Sequence, residues 1–94
     1  MTTQYPLPIK IRKNGFDYAQ VLRTGKKAIY KQMVTEDVAY FEVFLIRTKP
    51  DRFIKGKFIQ GGEAFPRDED FGRTAWSFRS YETALKKYNN LNHD

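Results

Sequence analysis

Tyr18, Tyr30 and Tyr40 each stand two residues before a glutamine or glutamate (Gln20, Gln32 and Glu42), inside stretches that alternate in character like strands. Glutamine can read a base edge bidentately, aromatic faces stack on exposed bases, and lysine and arginine neutralise phosphates. Basic groups lie close in sequence: Lys10, Arg12 and Lys13 upstream, and Arg23, Lys26 and Lys27 around the next turn. The candidate nucleic-acid-binding residues are therefore Lys10, Arg12, Lys13, Tyr18, Gln20, Arg23, Lys26, Lys27, Tyr30 and Gln32. A purely structural reading stands beside this one. Small sheets commonly carry tyrosines on their wet face, where cross-strand pairs stabilise them. The Lys10 to Lys13 run can equally be a solvated edge that discourages aggregation.

The charge distribution favours an anionic partner. Residues 1–35 carry seven basic side chains against the single acid Asp17, while the remaining 59 carry ten of each sign, so the formal charge of +6 resides in the first segment. Basic and aromatic groups on adjoining strands suit a sheet that touches an anionic polymer.

Catalytic constellations are not evident. The acids Asp68, Glu69 and Asp70 are contiguous and flanked by Pro66, Gly72, Arg67 and Arg73, whereas two-metal sites draw acids from separate rigid elements. Caps and local ion pairs are the expectation there. The single histidine, His93, lies one residue from the C-terminus, where nothing would hold it for acid–base work. No Ser-His-Asp, Cys-His, phosphate-cradling glycine loop or metal-ligand spacing is present, so neither an enzyme nor a cofactor is expected.

The elements that must position these residues follow from length and periodicity. Ninety-four residues make room for one core, and an aromatic content of 16% can build it despite the polar composition. The absence of cysteine fits a reducing compartment, and no apolar run approaches the roughly 20 residues a membrane helix needs. A cytoplasmic protein of a bacterial host cell, with no membrane partner, is expected. Residues 1–8, broken by Pro6 and Pro8, read as a flexible arm, and 9–47 as antiparallel strands. Strands are expected over Phe16 to Arg23, Ala28 to Val34 and Val38 to Arg47, the last apolar on both faces and so doubly covered. Residues 48–74 form an irregular insert in which Phe53-Ile54 and Phe58-Ile59 flank a short hairpin turn. Ala75 to Phe78 makes a last strand anchored by Trp76. Ser80 then caps a helix running to about Leu91, with Tyr81, Ala84, Leu85, Tyr88 and Leu91 as its apolar stripe.

Turn length decides which residues share a face. A turn at Thr35-Glu36-Asp37 sets Gln32 beside Tyr40 and Tyr30 beside Glu42. A three-residue first loop adds Tyr18 and Gln20 to that face. A two-residue Gly25-Lys26 loop puts Val21 opposite Tyr30 and breaks the pattern.

Two resemblances bear on the chain. The segment Glu63-Ala64-Phe65-Pro66 to Asp68-Glu69-Asp70-Phe71-Gly72, with Ala75-Trp76-Ser77-Phe78 and Tyr81-Glu82-Thr83-Ala84-Leu85, resembles small uncharacterised proteins of phages and mobile elements of gut bacteria. The likeness covers mainly 38–91 and implies that origin, with no activity to transfer. The order of three antiparallel strands and a helix opening Phe78-Arg79-Ser80-Tyr81-Glu82-Thr83-Ala84 is similar to the DNA-binding domains of plant ethylene-response factors and the arm-binding domains of phage integrases. In those a sheet face enters the major groove. Their middle-strand Trp is Tyr or Phe here, and the 48–74 insert is foreign to them.

The expected architecture is a single α+β domain, 1–94: a three- or four-stranded antiparallel sheet with one C-terminal helix packed on one face. The expected function is non-catalytic binding of nucleic acid, double-stranded DNA first, by the open sheet face of a phage or mobile-element accessory protein, as monomer or homodimer. The alternative is an accessory factor that binds an acidic host protein, either as an inhibitor of a host enzyme or as a minor virion component. Phe53, Phe58, Phe65 and Phe71 would then supply its anchors.

Overall fold

The computed structural model describes residues 6–91. His93, and residues 1–5 of the expected flexible arm, lie outside the described residues. The fold is α+β, with a five-stranded antiparallel sheet and one C-terminal helix. Strands β1 (Lys10–Lys13), β2 (Phe16–Thr24), β3 (Lys27–Met33) and β4 (Ala39–Leu45) run as a meander. The chain then leaves the sheet and returns as the edge strand β9 (Ala75–Phe78), which pairs with β4. The excursion holds two further ribbons, β5 (Arg47–Lys49) with β8 (Gly62–Ala64), and β6 (Arg52–Ile54) with β7 (Lys57–Ile59). One strand more than expected comes from β1. Its Lys-Ile-Arg-Lys sequence makes a charged edge, the placement that discourages further strand addition.

Register in the second hairpin is the one its turn dictates, with Gln32 opposite Tyr40 and Tyr30 opposite Glu42. The first hairpin has the two-residue Gly25-Lys26 loop, yet the tyrosine pattern survives. The register shifts between Gln20 and Leu22, so Val21 is an extra bulged residue. Gln20 therefore faces Tyr30 and Tyr18 faces Gln32.

Helix α1 (Tyr81–Asn90) starts where Ser80 Oγ accepts from the Thr83 amide at 3.4 Å. It packs Ala84 and Tyr88 onto Ile29 and Val43, with Leu22, Phe41, Phe78, Leu85 and Leu91 around them. Trp76, expected as a core anchor, is half-buried, with Lys87 Nζ 3.9 Å from its ring. The opposite face of the sheet is covered as well. Leu7, Tyr18, Ala28, Tyr30, Phe44, Ile46 and Ala75 form a second core, packed by Ile11, Phe16 and Phe65. β4 is thus buried from both sides, as its apolar pattern requires. Leu7, placed in the flexible arm by its neighbouring prolines, is only 5% exposed. Its side chain closes this second core, and Pro8 supplies a carbonyl to it.

Candidate nucleic-acid interface

The tyrosines share one face of the sheet, but that face is not a solvent-facing platform. Tyr30 is fully buried and Tyr18 is 4% exposed. Tyr30 stacks on Phe44 at 5.6 Å and meets the edge of Phe65 at 5.0 Å, while its hydroxyl donates to the Pro8 carbonyl at 2.7 Å. The glutamines are occupied too. Gln20 Nε2 donates to the Tyr30 hydroxyl at 3.0 Å, and Gln32 Nε2 to the Tyr18 hydroxyl at 2.8 Å. Burial raises the pKa of both phenols above the ordinary value, so they stay neutral and work as core hydrogen-bonding groups. Sequence alternation groups residues by face without revealing what covers the face. Here the cover is Leu7 and Phe65.

The expected cations are dispersed. Arg23 makes two hydrogen bonds to Glu63, both 2.6 Å, and the same carboxylate accepts from the Leu7 amide at 3.0 Å. The Arg23 bonds hold the Glu63 carboxyl below the usual range. Arg23 is therefore the anchor that ties β8 to β2, placed there because the Val21 bulge turns it to the second-core face. Lys27 Nζ donates to the Tyr88 carbonyl at 2.9 Å and lies over the Tyr88 ring. Lys13 Nζ lies 4.3 Å from the Tyr18 ring centroid, and Arg12 pairs with Asp17 at 3.0 Å. Lys10 and Lys26 are exposed, but they lie apart: Lys10 pairs with Ala19 at one edge, and Lys26 sits in the turn at the end of the sheet.

A different basic and aromatic surface is assembled by the insert. Every residue from Asp51 to Gln60 is exposed, making the β6–β7 hairpin an arm that stands off the sheet. Its turn, Lys55-Gly56, has φ of 52° and 77°, the pair of left-handed values that a two-residue hairpin of matching twist needs. Phe53 lies opposite Phe58 with ring centroids 5.4 Å apart, and the two rings are 73% and 55% exposed. Because strand side chains alternate, Arg52, Ile54, Lys57 and Ile59 project from the other face. Lys49, Arg52, Lys55 and Lys57 oppose the one acid Asp51 in this stretch. None of the four lies within ion-pair distance of an acid among the described residues.

The arm is bent where β5–β8 meets β6–β7. Asp51 Oδ1 accepts from the Gly61 amide at 2.6 Å across the bend. A Cβ at Gly61 would lie 2.0 Å from the Lys49 carbonyl oxygen, so the two chain passes approach too closely for any side chain there. At the base, Arg47 donates to the Phe65 carbonyl at 3.4 Å and lies 3.8 Å from Asp70. The bend encloses a concavity of about 380 Å³ lined by Arg47, Thr48, Lys49, Pro50, Arg52, Ile59 and Gln60.

The acidic stretch serves local structure. Asp70 accepts from the Arg67 amide at 2.9 Å and lies 3.5 Å from the Arg67 guanidinium, and these contacts hold its carboxyl below the usual range. Glu69 pairs with Arg67 at 3.4 Å. Among the described residues no three His, Cys, Asp or Glu side chains are placed to hold a metal ion, and no helix is long and apolar enough to cross a membrane. The arm's composition was legible in sequence as Phe-Ile-Lys-Gly-Lys-Phe-Ile. Its isolation from the core was not. Comparison with family models, curated proteins and solved structures returns no match.

Proposed function

We propose that the protein is a non-catalytic nucleic-acid-binding accessory protein, duplex DNA first, and that the bent arm over residues 47–64 carries the contact. The observation behind this reading is the exposed arm over residues 49–60, where the cations Lys49, Arg52, Lys55 and Lys57 accompany the one acid Asp51 and the β6–β7 hairpin carries a pair of solvent-facing phenylalanines. A two-stranded ribbon has the dimensions to enter a major groove, cations along it meet phosphates, and exposed apolar side chains can touch base edges. The likeness to phage and mobile-element proteins supplies the setting in which such an accessory protein would act. The test is anisotropy of a labelled duplex and a labelled single strand, each titrated at about 50 and 200 mM salt, a range over which several phosphate contacts cost orders of magnitude in affinity. Salt-steep binding that disappears in Arg52→Glu/Lys57→Glu supports the reading. Binding lost only in Lys10→Glu/Lys26→Glu would return the contact to the sheet.

One feature favours a protein partner instead. The Phe53 and Phe58 rings stand on the face opposite Arg52 and Lys57, and segregated exposed aromatics are what anchor protein interfaces. Of the four phenylalanines in the insert, Phe65 belongs to the core and Phe71 is 36% exposed beside β9. Phe53→Ala/Phe58→Ala, which spares the core, separates the readings: capture of a protein lost with duplex binding intact would establish the second.

A further inference from the structure

Resting on the nucleic-acid reading, we infer that the concave side of the bend is a seat for one backbone phosphate with its flanking sugar, built by Arg47, Lys49 and Arg52. Strand alternation puts Arg47 and Lys49 on the same face of β5, and the bend brings Arg52 to the same hollow. Three like charges around one space repel one another, and an anion between them removes that repulsion. The geometry is fixed without a ligand. The passes approach closely at Gly61, Asp51 clasps the bend through the Gly61 amide, and Arg47 is tied to the Phe65 carbonyl.

The acids nearby do not fill the hollow. Asp51 is not among its lining residues and its Oδ1 is engaged by the Gly61 amide, while Asp70 approaches Arg47 from the base at 3.8 Å. Donor chemistry fits a phosphodiester: the guanidinium forks give paired N–H donors and Lys49 a mobile point charge. The hollow has room for a nucleotide unit. At about 30 Å³ per water in the liquid, a volume near 380 Å³ holds on the order of a dozen waters, room for a sugar-phosphate unit and far more than a bare anion needs. The uncharged lining, Thr48, Pro50, Ile59 and Gln60, suits the sugar.

The seat is tested with Lys49→Gln/Arg52→Gln, both exposed positions, leaving Arg47 and its structural contacts alone. Wild-type and variant are titrated with a labelled duplex across a salt series, alongside Lys10→Gln/Lys26→Gln as a charge-matched control, with far-UV circular dichroism confirming an unchanged fold. The expected result is a 10- to 100-fold rise in Kd at low salt and a log–log salt slope shallower by about one phosphate in the seat variant only. Inorganic phosphate at millimolar concentration should not displace the duplex. A wild-type slope retained by the seat variant, or an equal loss in the control, overturns the seat while leaving nucleic-acid binding in place. Displacement by free phosphate would make the hollow a simple anion site and also overturns it. No wild-type binding to duplex or single strand at low salt overturns the underlying reading itself.

Discussion

Removing Glu63 should release the insert from the sheet. Its carboxylate accepts two hydrogen bonds from Arg23, both 2.6 Å, and one from the Leu7 amide at 3.0 Å. Charge-assisted bonds contribute about 1.5–3 kcal/mol each, and the half-screened setting, with Arg23 and Glu63 side chains 26% and 16% accessible, argues for the low end. Glu63→Ala should therefore cost about 2–4 kcal/mol, or roughly 10–20 °C in Tm for a domain of this size. Urea and thermal unfolding at pH 7 provide the measurement. A loss below about 0.5 kcal/mol, the contribution of an ordinary surface ion pair, would refute the anchoring role. A double-mutant cycle with Arg23→Ala should show a coupling of about 1–2 kcal/mol, since the two side chains act on one contact. The pH dependence has a definite sign. Glu63 titrates lower in the folded protein than in the unfolded chain, so its contribution is complete above the unfolded value of about 4.3 and is lost as pH falls through the folded one. Glu63→Gln should flatten that acid limb.

Glu42, 8% exposed, has its pKa raised by burial and partly lowered by Lys13, so its ionisation in the fold makes stability decline as pH rises past the unfolded value; Glu42→Gln should raise Tm at pH 7 and reduce the difference between pH 5 and pH 7. Gly61→Ala places a methyl against the Lys49 carbonyl and should open the bend. Amide exchange would then quicken across residues 49–62 while β2, β3 and β4 keep their protection. The Tyr88 hydroxyl is buried with no hydrogen-bond partner among the described residues, so Tyr88→Phe should leave stability unchanged or raise it by up to about 1 kcal/mol in urea unfolding.

Local rules carried much of the fold. Ser80 marks the start of α1, the Thr35-Glu36-Asp37 turn sets the β3–β4 register, and β4 shows its double burial in its own composition. What failed was nonlocal. Nothing in the identity of Val21 announces a bulge, yet that one residue reconciles a two-residue turn with the tyrosine face and aims Arg23 at Glu63, 40 positions away. The tyrosine strip also looks amphipathic until Leu7 and Phe65 close over it, and neither is close in sequence to the strands it covers. β1 stayed between two readings, an arm or a sheet edge, because a charged edge strand has the composition of a solvated run.

The charge distribution shows the same difference between chain and fold. By sequence the first 35 residues hold the whole net charge and the rest are balanced. Folding rearranges that account. Arg12, Arg23 and Lys27 of the basic segment are engaged by Asp17, Glu63 and the Tyr88 carbonyl, so their charges serve architecture. In the balanced segment, Asp70 and Glu69 are gathered beside Arg67, and Glu63 faces Arg23, which draws these three acids to the base of the insert and leaves Lys49, Arg52, Lys55 and Lys57 with the single acid Asp51 on its projecting part. A cationic surface therefore arises from a stretch with no net charge because Glu63, Glu69 and Asp70 are held at the base of the insert, apart from the four cations of the arm. For a polyanion, local field matters more than the sum over the segment, since screening confines each charge to about 10 Å at 0.1 M salt.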